Sequence, residues 1–180
     1  MNPPSANRGS VATARSFVDA FLGGDSFDAV ALEGARDFDF SDGTCRCRFP
    51  VARRAQNRYG ALHGGCAATL VDVVSTAALL TVCGDPGVSA SLNVIYASPG
   101  PGGTDVDVEA RVLKHGRSLA FLEVSIWTRG GDGEGKGKDA DAAADRKLVA
   151  KGSHVKFLPG TGVGMAPGAF SGGAGARAKL

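Results

Sequence analysis

The chain contains 180 residues, which a single ordinary domain accounts for. Hydrophobic residues make up 43% and charged residues 21%, so the composition excludes a wholly disordered chain and a fibre. Lysine and arginine number 20 against 18 aspartates and glutamates. The resulting net charge of +2 argues against a nucleic-acid-binding protein, which usually carries a clear basic excess.

The first third of the chain alternates between helical and strand patterns. Polar residues 1–10 predict a flexible N-terminus, and apolar residues spaced along 11–22 predict a short amphipathic helix that ends at a glycine pair. Residues 29–40 and 45–51 show strand patterns and are joined by a turn that contains glycine. An arginine-rich loop at residues 52–62 follows.

The most hydrophobic segment, residues 67–83, is long enough to be tested as a membrane span. Asp72 stands near its middle, where a carboxylate costs about 2.5–3.5 kcal/mol to insert into a bilayer. Glycine-rich sequences typical of helix ends in water flank the segment. We therefore predict a helix buried in a protein core, from about Gly64 to Cys83, and no membrane span.

Four strand patterns fill the second half of the chain, at residues 88–96, 105–114, 118–128 and 147–158. The order of elements predicts an α+β fold in which an antiparallel sheet wraps around one long helix, within a domain that spans residues 11–158. A single sheet covered on one face leaves edges and an open face. We therefore expect a homodimer or a homotetramer.

Two low-complexity segments are predicted to be flexible, a hairpin insertion at residues 129–146 and a glycine-rich tail at residues 159–180. The tail ends in Ala178-Lys179-Leu180, a conservative variant of the Ser-Lys-Leu peroxisomal address. Recognition by a peroxisomal import receptor is the expected consequence, with a peroxisomal location. The cytosol is one alternative location. The mitochondrion is another, because the first residues include no acidic side chain.

The cysteines form no CxxC pair and show no metal-binding spacing. The chain opens without the charged-then-apolar pattern of a secretory signal, so reduced thiols in an intracellular compartment are expected. They are Cys45, Cys47, Cys66 and Cys83.

The start of the long helix suits catalysis. A helix start exposes unpaired N–H groups and the positive end of the helix dipole, and Gly64 and Gly65 let a ligand approach the backbone closely. Such a site suits a carbonyl oxygen that becomes negative during acyl transfer. A tight turn formed by the same glycines is the alternative interpretation.

Asp72 is unusual because it stands among apolar residues inside the helix. Desolvation would favour its protonated form and would mark it as structurally paired or functional. A side chain that reaches solvent is the alternative. Gly64 and Asp72 are eight residues apart, about 12 Å of helix rise. A group held at Gly64 would therefore need the Asp72 of a second copy of the chain.

Four stretches closely resemble the hotdog-fold acyl-CoA thioesterases of the thioesterase superfamily member 2 type, which are related to the bacterial phenylacetate-pathway thioesterases. They are NRYGALHGGCAATLVDVVSTAALL, PGVSASLNVIYASP, VLKHGRSLAFLEVSIW and KLVAKGSHVKFLP. HGG followed by Asp inside a helix and then by strands is specific for this family, whereas HGG alone is not. The resemblance implies a hotdog fold, an antiparallel sheet wrapped around a long central helix.

The resemblance also implies that the chain hydrolyses an acyl-CoA thioester to a carboxylic acid and coenzyme A without a cofactor or a metal. In that mechanism the backbone N–H of Gly64 polarises the thioester carbonyl, and Asp72 of the partner subunit acts as general base on water or as nucleophile. Asn57 would place the water or the carboxylate, and His63 would orient the thioester. Ser89 would hydrogen-bond to the water or to Asp72.

Coenzyme A is expected along one hairpin of the sheet, since family members hold its pantetheine and nucleotide there. The charges of Lys114 and Arg117 would suit its phosphates, although an ordinary charged hairpin is the alternative. The residues that the resemblance implies for coenzyme A binding are Ser91, Tyr96, Lys114, His115, Gly116, Arg117, Ser118 and Leu119.

Two other functions are alternatives to hydrolysis. A hotdog hydratase or dehydratase usually needs an aspartate and a histidine close together, but Asp72 and His63 would lie about 13 Å apart on one helix. A non-catalytic acyl-CoA-binding module is the second alternative, against which the complete set of matching residues argues. The last histidine, His154, is expected at the surface of the final strand.

Overall fold

The computed structural model describes residues 8–129 and 146–159. Most of the predicted N-terminal segment, hairpin insertion and C-terminal tail, including the peroxisomal address, lies outside these residues. The described part contains three α-helices, one short 3-10 turn and six strands. They are α1 Val11–Leu22, α2 Phe27–Ala31, the 3-10 turn Arg53–Ala55, α3 Gly64–Leu80, β1 Arg36–Ser41, β2 Thr44–Pro50, β3 Val88–Tyr96, β4 Asp105–His115, β5 Leu119–Thr128 and β6 Leu148–Phe157.

The helix α2 corrects the sequence-based assignment. A strand was predicted over residues 29–40, but β1 begins only at Arg36. Ser26 starts a helix instead, because its Oγ accepts a hydrogen bond from the Ala29 N–H at 3.4 Å. Ala29 and Leu32 are buried, so the apolar spacing that resembled a strand is the inner side of this short helix and the turn after it.

The six strands form one antiparallel sheet in the order β1-β2-β4-β5-β6-β3. One face packs against α3 and forms the core, which confirms the predicted α+β architecture. The sequence of β4 alternates between apolar and polar residues, and Val106, Val108 and Ala110 are buried on that face, while Val112 is half-buried. Cys45 and Cys47 of β2 are buried on the same face.

The position of α3 is fixed by its close approach to β6. A methyl group at Gly152 of β6 would meet the two γ carbons of Val71 on α3 at 2.6 Å, so a larger residue there cannot keep this spacing. The approach brings the middle of α3 within hydrogen-bonding distance of side chains farther along β6. No helix in residues 8–129 and 146–159 is long and apolar enough to cross a membrane.

The strand β3 lies at the edge of the sheet and pairs with β6 on one side. Its apolar residues Val88, Leu92, Ile95 and Tyr96 are exposed. An edge with free backbone groups and exposed apolar side chains suits pairing with another strand. The homodimer or homotetramer stays a prediction, and this edge is the surface that suits it best.

Candidate active site

Asp72 lies on α3 and forms one wall of a groove between α2, α3 and β3. Its side chain is 46% exposed, so the expected burial is wrong for the single chain and the alternative, a carboxylate that reaches solvent, is observed. Asp72 Oδ1 lies 3.8 Å from His154 Nε2 and 3.8 Å from Lys156 Nζ, both on β6. The carboxylate is therefore accessible to a small molecule on one side, while two buried β6 side chains lie on its inner side.

Ser89 lies beside Asp72 of the same chain. Its Oγ donates a hydrogen bond to Asp72 Oδ1 at 3.4 Å. The register of β3 against β6 shifts between Ser89 and Ser91, and such bulges redirect side chains. Ser91, the next predicted ligand residue, is exposed and pairs with Val155.

His154 is a residue of this site that the sequence prediction placed wrongly. It was expected at the surface, but its side chain is fully buried. Its Nδ1 lies 2.8 Å from Ser75 Oγ and its Nε2 lies 2.9 Å from Ser89 Oγ. Burial and, to a smaller extent, the charge of Lys156 lower the pKa of His154 to about 4, against an opposing effect of Asp72. His154 is therefore neutral near pH 7, with both ring nitrogens hydrogen-bonded.

Lys156 is the second residue that the sequence did not reveal. Its side chain is buried, and its Nζ donates a hydrogen bond to Thr76 Oγ1 at 2.8 Å. Thr76 Oγ1 in turn donates to the backbone carbonyl of Asp72 at 2.8 Å. Burial lowers the pKa of Lys156, while the Asp72 carboxylate opposes that effect. A buried ammonium is costly unless a counter-charge is near, and Asp72 supplies it.

The pattern of β6 explains why both residues were missed. Apolar Val155 and Phe157 alternate with His154 and Lys156, so a rule that places apolar residues inside would turn the polar pair outward. The structure has the opposite facing. Gly152 was the available signal, because a small residue inside a strand often marks a close approach by another element.

The N-terminus of α3 carries the predicted carbonyl-binding group. His63 caps the helix, because its Nδ1 accepts a hydrogen bond from the Gly65 N–H at 3.0 Å. Tyr96 Oη donates to the carbonyl of Gly64 at 3.0 Å. The Gly64 N–H belongs to the first turn, whose amides have no acceptor within the helix.

Asn57 lies in the turn that precedes this helix. Its Oδ1 accepts hydrogen bonds from the Tyr59 N–H at 2.9 Å and from the Ala61 N–H at 3.2 Å. Within residues 8–129 and 146–159, no group accepts a hydrogen bond from its side-chain NH₂. Because Oδ1 is held by the turn, the NH₂ is the part of Asn57 that can serve a ligand.

The predicted residues fall at two places. Asp72 and Ser89 are together, whereas Asn57, His63 and Gly64 surround the start of α3, with Gly64 about 12 Å of helix rise away from Asp72. One chain therefore does not bring the two groups together. Tyr96 belongs to the helix start, through its contact with Gly64.

The β4–β5 hairpin, residues 114–119, lies at the Ser89 end of the sheet. Leu119 pairs with Phe157, and Phe157 pairs with Val88, the residue before Ser89. The hairpin residues are all exposed, so they are accessible to a ligand: Lys114, His115, Gly116, Arg117, Ser118 and Leu119. In the part of the chain that the structure describes, no group of three or more His, Cys, Asp or Glu side chains could hold a metal ion.

Comparison with known proteins gives consistent matches. The model of the thioesterase superfamily matches residues 59–134, which include Gly64, Asp72 and Ser89. The human protein acyl-coenzyme A thioesterase 13 is 42% identical over 113 residues, which cover 62% of this chain and 71% of that protein.

Solved structures agree with this match. The crystal structure of zebra fish thioesterase superfamily member 2 has a TM-score of 0.69 at 33% identity and covers 83% of this chain and 98% of that chain. A hypothetical thioesterase protein with coenzyme A from Streptococcus pneumoniae has a TM-score of 0.61 and covers 74% of this chain and 93% of that chain. Its identity is 24%, so that likeness concerns the fold alone.

Proposed function

We propose that this chain, which belongs to the thioesterase superfamily and has its hotdog fold, hydrolyses an acyl-coenzyme A to a carboxylic acid and coenzyme A. The observation that carries the proposal is the half-exposed carboxylate of Asp72, held beside Ser89 and a buried lysine at the wall of a groove. The name of the human relative, acyl-coenzyme A thioesterase 13, supports the choice of substrate class.

The chemistry assigned to Asp72 is general base catalysis. The carboxylate takes a proton from a water molecule while the water oxygen attacks the thioester carbonyl carbon. Ser89 Oγ is close enough to Asp72 to hold the same water, and its hydrogen bond with His154 Nε2 fixes its position. When the tetrahedral intermediate collapses, the C–S bond breaks, and Asp72 returns the proton to the departing thiolate.

Direct attack by Asp72 is the competing mechanism. It would form a mixed anhydride and release the coenzyme A thiolate, and water would then open the anhydride. In a single turnover in water labelled with oxygen-18, general base catalysis puts the label into the carboxylic acid. If water adds to the Asp72 carboxyl carbon of an anhydride, the first acid is unlabelled and Asp72 carries the label, so that result identifies nucleophilic attack.

The developing oxyanion needs a donor, and the Gly64 N–H at the positive end of α3 is the group we assign to it. Because Gly64 lies about 12 Å from Asp72 along the same helix, we place Gly64 and Asn57 of one chain opposite Asp72 of another. The exposed edge strand β3 supports such a dimer, because two copies could pair there and bring their central helices together.

Coenzyme A is assigned to the β4–β5 hairpin. Lys114 and Arg117 are exposed there and suit the phosphate groups of the nucleotide. The pairing of Leu119, Phe157 and Val88 puts the hairpin near Ser89, which supports a thiol end that reaches the catalytic carboxylate.

A hydratase or dehydratase is the competing function, because His154 Nε2 lies 3.8 Å from Asp72 Oδ1. That proximity is the feature that an Asp–His pair would need. However, the His154 side chain is fully buried and both of its nitrogens are engaged by serine hydroxyls. It cannot reach a substrate, so the arrangement favours hydrolysis.

The test is release of free thiol from a panel of acyl-coenzyme A substrates of different acyl chains. Asp72→Asn should lower kcat about 10²–10⁴-fold, the usual contribution of a general base, without loss of the fold. Asp42→Asn, in the exposed β1–β2 turn, is the matched control. Release of no thiol from any member of the panel, or full kcat in Asp72→Asn, would overturn the proposal.

A further inference from the structure

The groove beside Asp72 is otherwise lined by residues to which the proposed reaction assigns no role. It measures about 260 Å³ and lies between the short helix α2, the central helix α3 and the edge strand β3. The lining residues are Phe27, Asp28, Ala68, Thr69, Asp72 and Leu92.

Most of the groove is apolar surface. Phe27 is 75% exposed, and Leu92 is also exposed. Together the two side chains present apolar surface in one groove, which is the kind of surface that a ligand or a partner covers. Ala68 lies one helical turn before Asp72 on the same side of α3. The apolar surface therefore continues directly to the carboxylate that we assign to catalysis.

The net charge at the groove is negative, because Lys156, 3.8 Å from Asp72 Oδ1, offsets only one of the two carboxylates in the lining. Asp28 is half-buried, and this burial, together with the nearby Asp72 carboxylate, raises the pKa of Asp28. The lining residues that the structure describes include two carboxylates and no lysine, arginine or histidine. A ligand in this groove would meet hydrocarbon and negative charge together.

We propose that the groove holds the acyl group of the substrate and that Asp28 excludes acyl groups that end in a carboxylate. The substrates would then be uncharged acyl thioesters. This inference rests on the proposed function, because a thioester carbonyl attacked from Asp72 must lie beside this groove. The acyl chain leaves the carbonyl on the side opposite the sulfur, and Phe27 and Leu92 provide the apolar surface that it would cover. Like charges at close range provide the exclusion.

The charge is tested with two substrates of equal length, hexanoyl-coenzyme A and adipoyl-coenzyme A, which ends in a carboxylate. Asp28→Asn should raise the ratio of kcat/KM for adipoyl over hexanoyl about 5- to 10-fold, the effect of one partly screened like-charge contact. Because Asp28 lies near Asp72, its replacement also changes hexanoyl hydrolysis, so the readout is the ratio of the two substrates and not either rate alone. Asp25→Asn, an exposed carboxylate just before α2, is the matched control and should leave the ratio unchanged.

The apolar wall is tested separately. Phe27→Ala should lower kcat/KM for octanoyl-coenzyme A several-fold more than for acetyl-coenzyme A, because only the longer chain reaches the ring. Val30→Ala is the control, because Val30 is exposed on the same helix but does not line the groove. Both substituted residues are exposed or half-buried, so the fold should tolerate the changes.

The outcomes separate the two proposals. Loss of the proposed function would appear as no hydrolysis of any acyl-coenzyme A by the unmodified protein. Active protein whose adipoyl-to-hexanoyl ratio is the same with Asp28 and with Asn at that position would overturn the charge exclusion. Equal effects of Phe27→Ala on octanoyl and acetyl substrates would overturn the placement of the acyl chain.

Discussion

Replacing Gly152 by alanine should push α3 away from β6 and should disturb the site without touching it. The added methyl would lie 2.6 Å from two carbons of Val71, whereas carbon atoms in contact prefer about 3.5–4.0 Å, so the elements must separate by about 1 Å. Overpacking of this kind costs about 1–3 kcal/mol. For a protein of this size, that cost lowers Tm by a few degrees to about 10 °C.

The same displacement should lower kcat. The 2.8 Å hydrogen bonds from β6 to Ser75 and Thr76 hold the turn of α3 that carries Asp72, and a misplacement of about 1 Å can cost about 100-fold in rate. We expect kcat to fall 10- to 100-fold with a smaller change in KM. Adding Val71→Ala should restore part of both Tm and kcat.

Gly24→Ala is a suitable control for Gly152→Ala, because the nearest atom to its added methyl would be 3.5 Å away. Thermal unfolding and steady-state kinetics on the single and double variants provide the measurements. Unchanged Tm and kcat in Gly152→Ala would refute the claim that this helix–strand contact positions Asp72.

Three further predictions concern other parts of the molecule. The folded protein holds the pKa of His154 at about 4 against an ordinary 6.5, so the unfolded chain binds more protons between these pH values, and the free energy of unfolding should fall by up to about 3 kcal/mol as pH drops from 6.5 to 4. Denaturant titrations of the unmodified protein and of His154→Gln across this range test the prediction. An equal dependence of the free energy of unfolding on pH in the two proteins would contradict it. Gly64→Ala should lower kcat about tenfold or more with little change in Tm, because the added methyl would meet the exposed Tyr96 ring at 3.3–3.4 Å and shift the amide assigned to the oxyanion. An unchanged kcat would contradict the assignment of the Gly64 N–H as the oxyanion donor. Burial raises the pKa of Cys45 to about 12 and that of Cys47 well above its usual value, so these thiols should react with an aromatic disulfide reagent at pH 8 only after denaturation; rapid reaction of the native protein would contradict their burial.

Regular periodicity made much of the fold predictable. Strand β4 alternates between apolar and polar residues up to Val112, and of the apolar residues on its inner face Val106, Val108 and Ala110 are buried and Val112 is half-buried. The long apolar segment around Asp72 gave the central helix, although the structure ends it at Leu80 instead of near residue 83. Each of these patterns lies within one element, because that element buries one of its faces against the core and the burial repeats with its own period.

The site was predicted only in part, because its remaining members depend on contacts between distant elements. Asp72 stood out as a charge within an apolar helix, but its exposure depends on α2 and β3, which the helix sequence does not encode. His154 and Lys156 lie about 80 residues away from their partners on α3. The alternation of β6 pointed them outward, and only the tertiary approach at Gly152 reveals that they face the helix.

The most direct test of the account is complementation between two inactive chains. Asn57→Ala and Asp72→Ala variants are mixed under conditions of proven subunit exchange, and thioesterase activity is measured before and after mixing. A site built from Gly64 and Asn57 of one chain and Asp72 of another predicts recovery of about a quarter of normal activity, because half of the dimers are mixed and each contains one intact site. No recovery in fully exchanged mixtures would contradict a site shared between two chains.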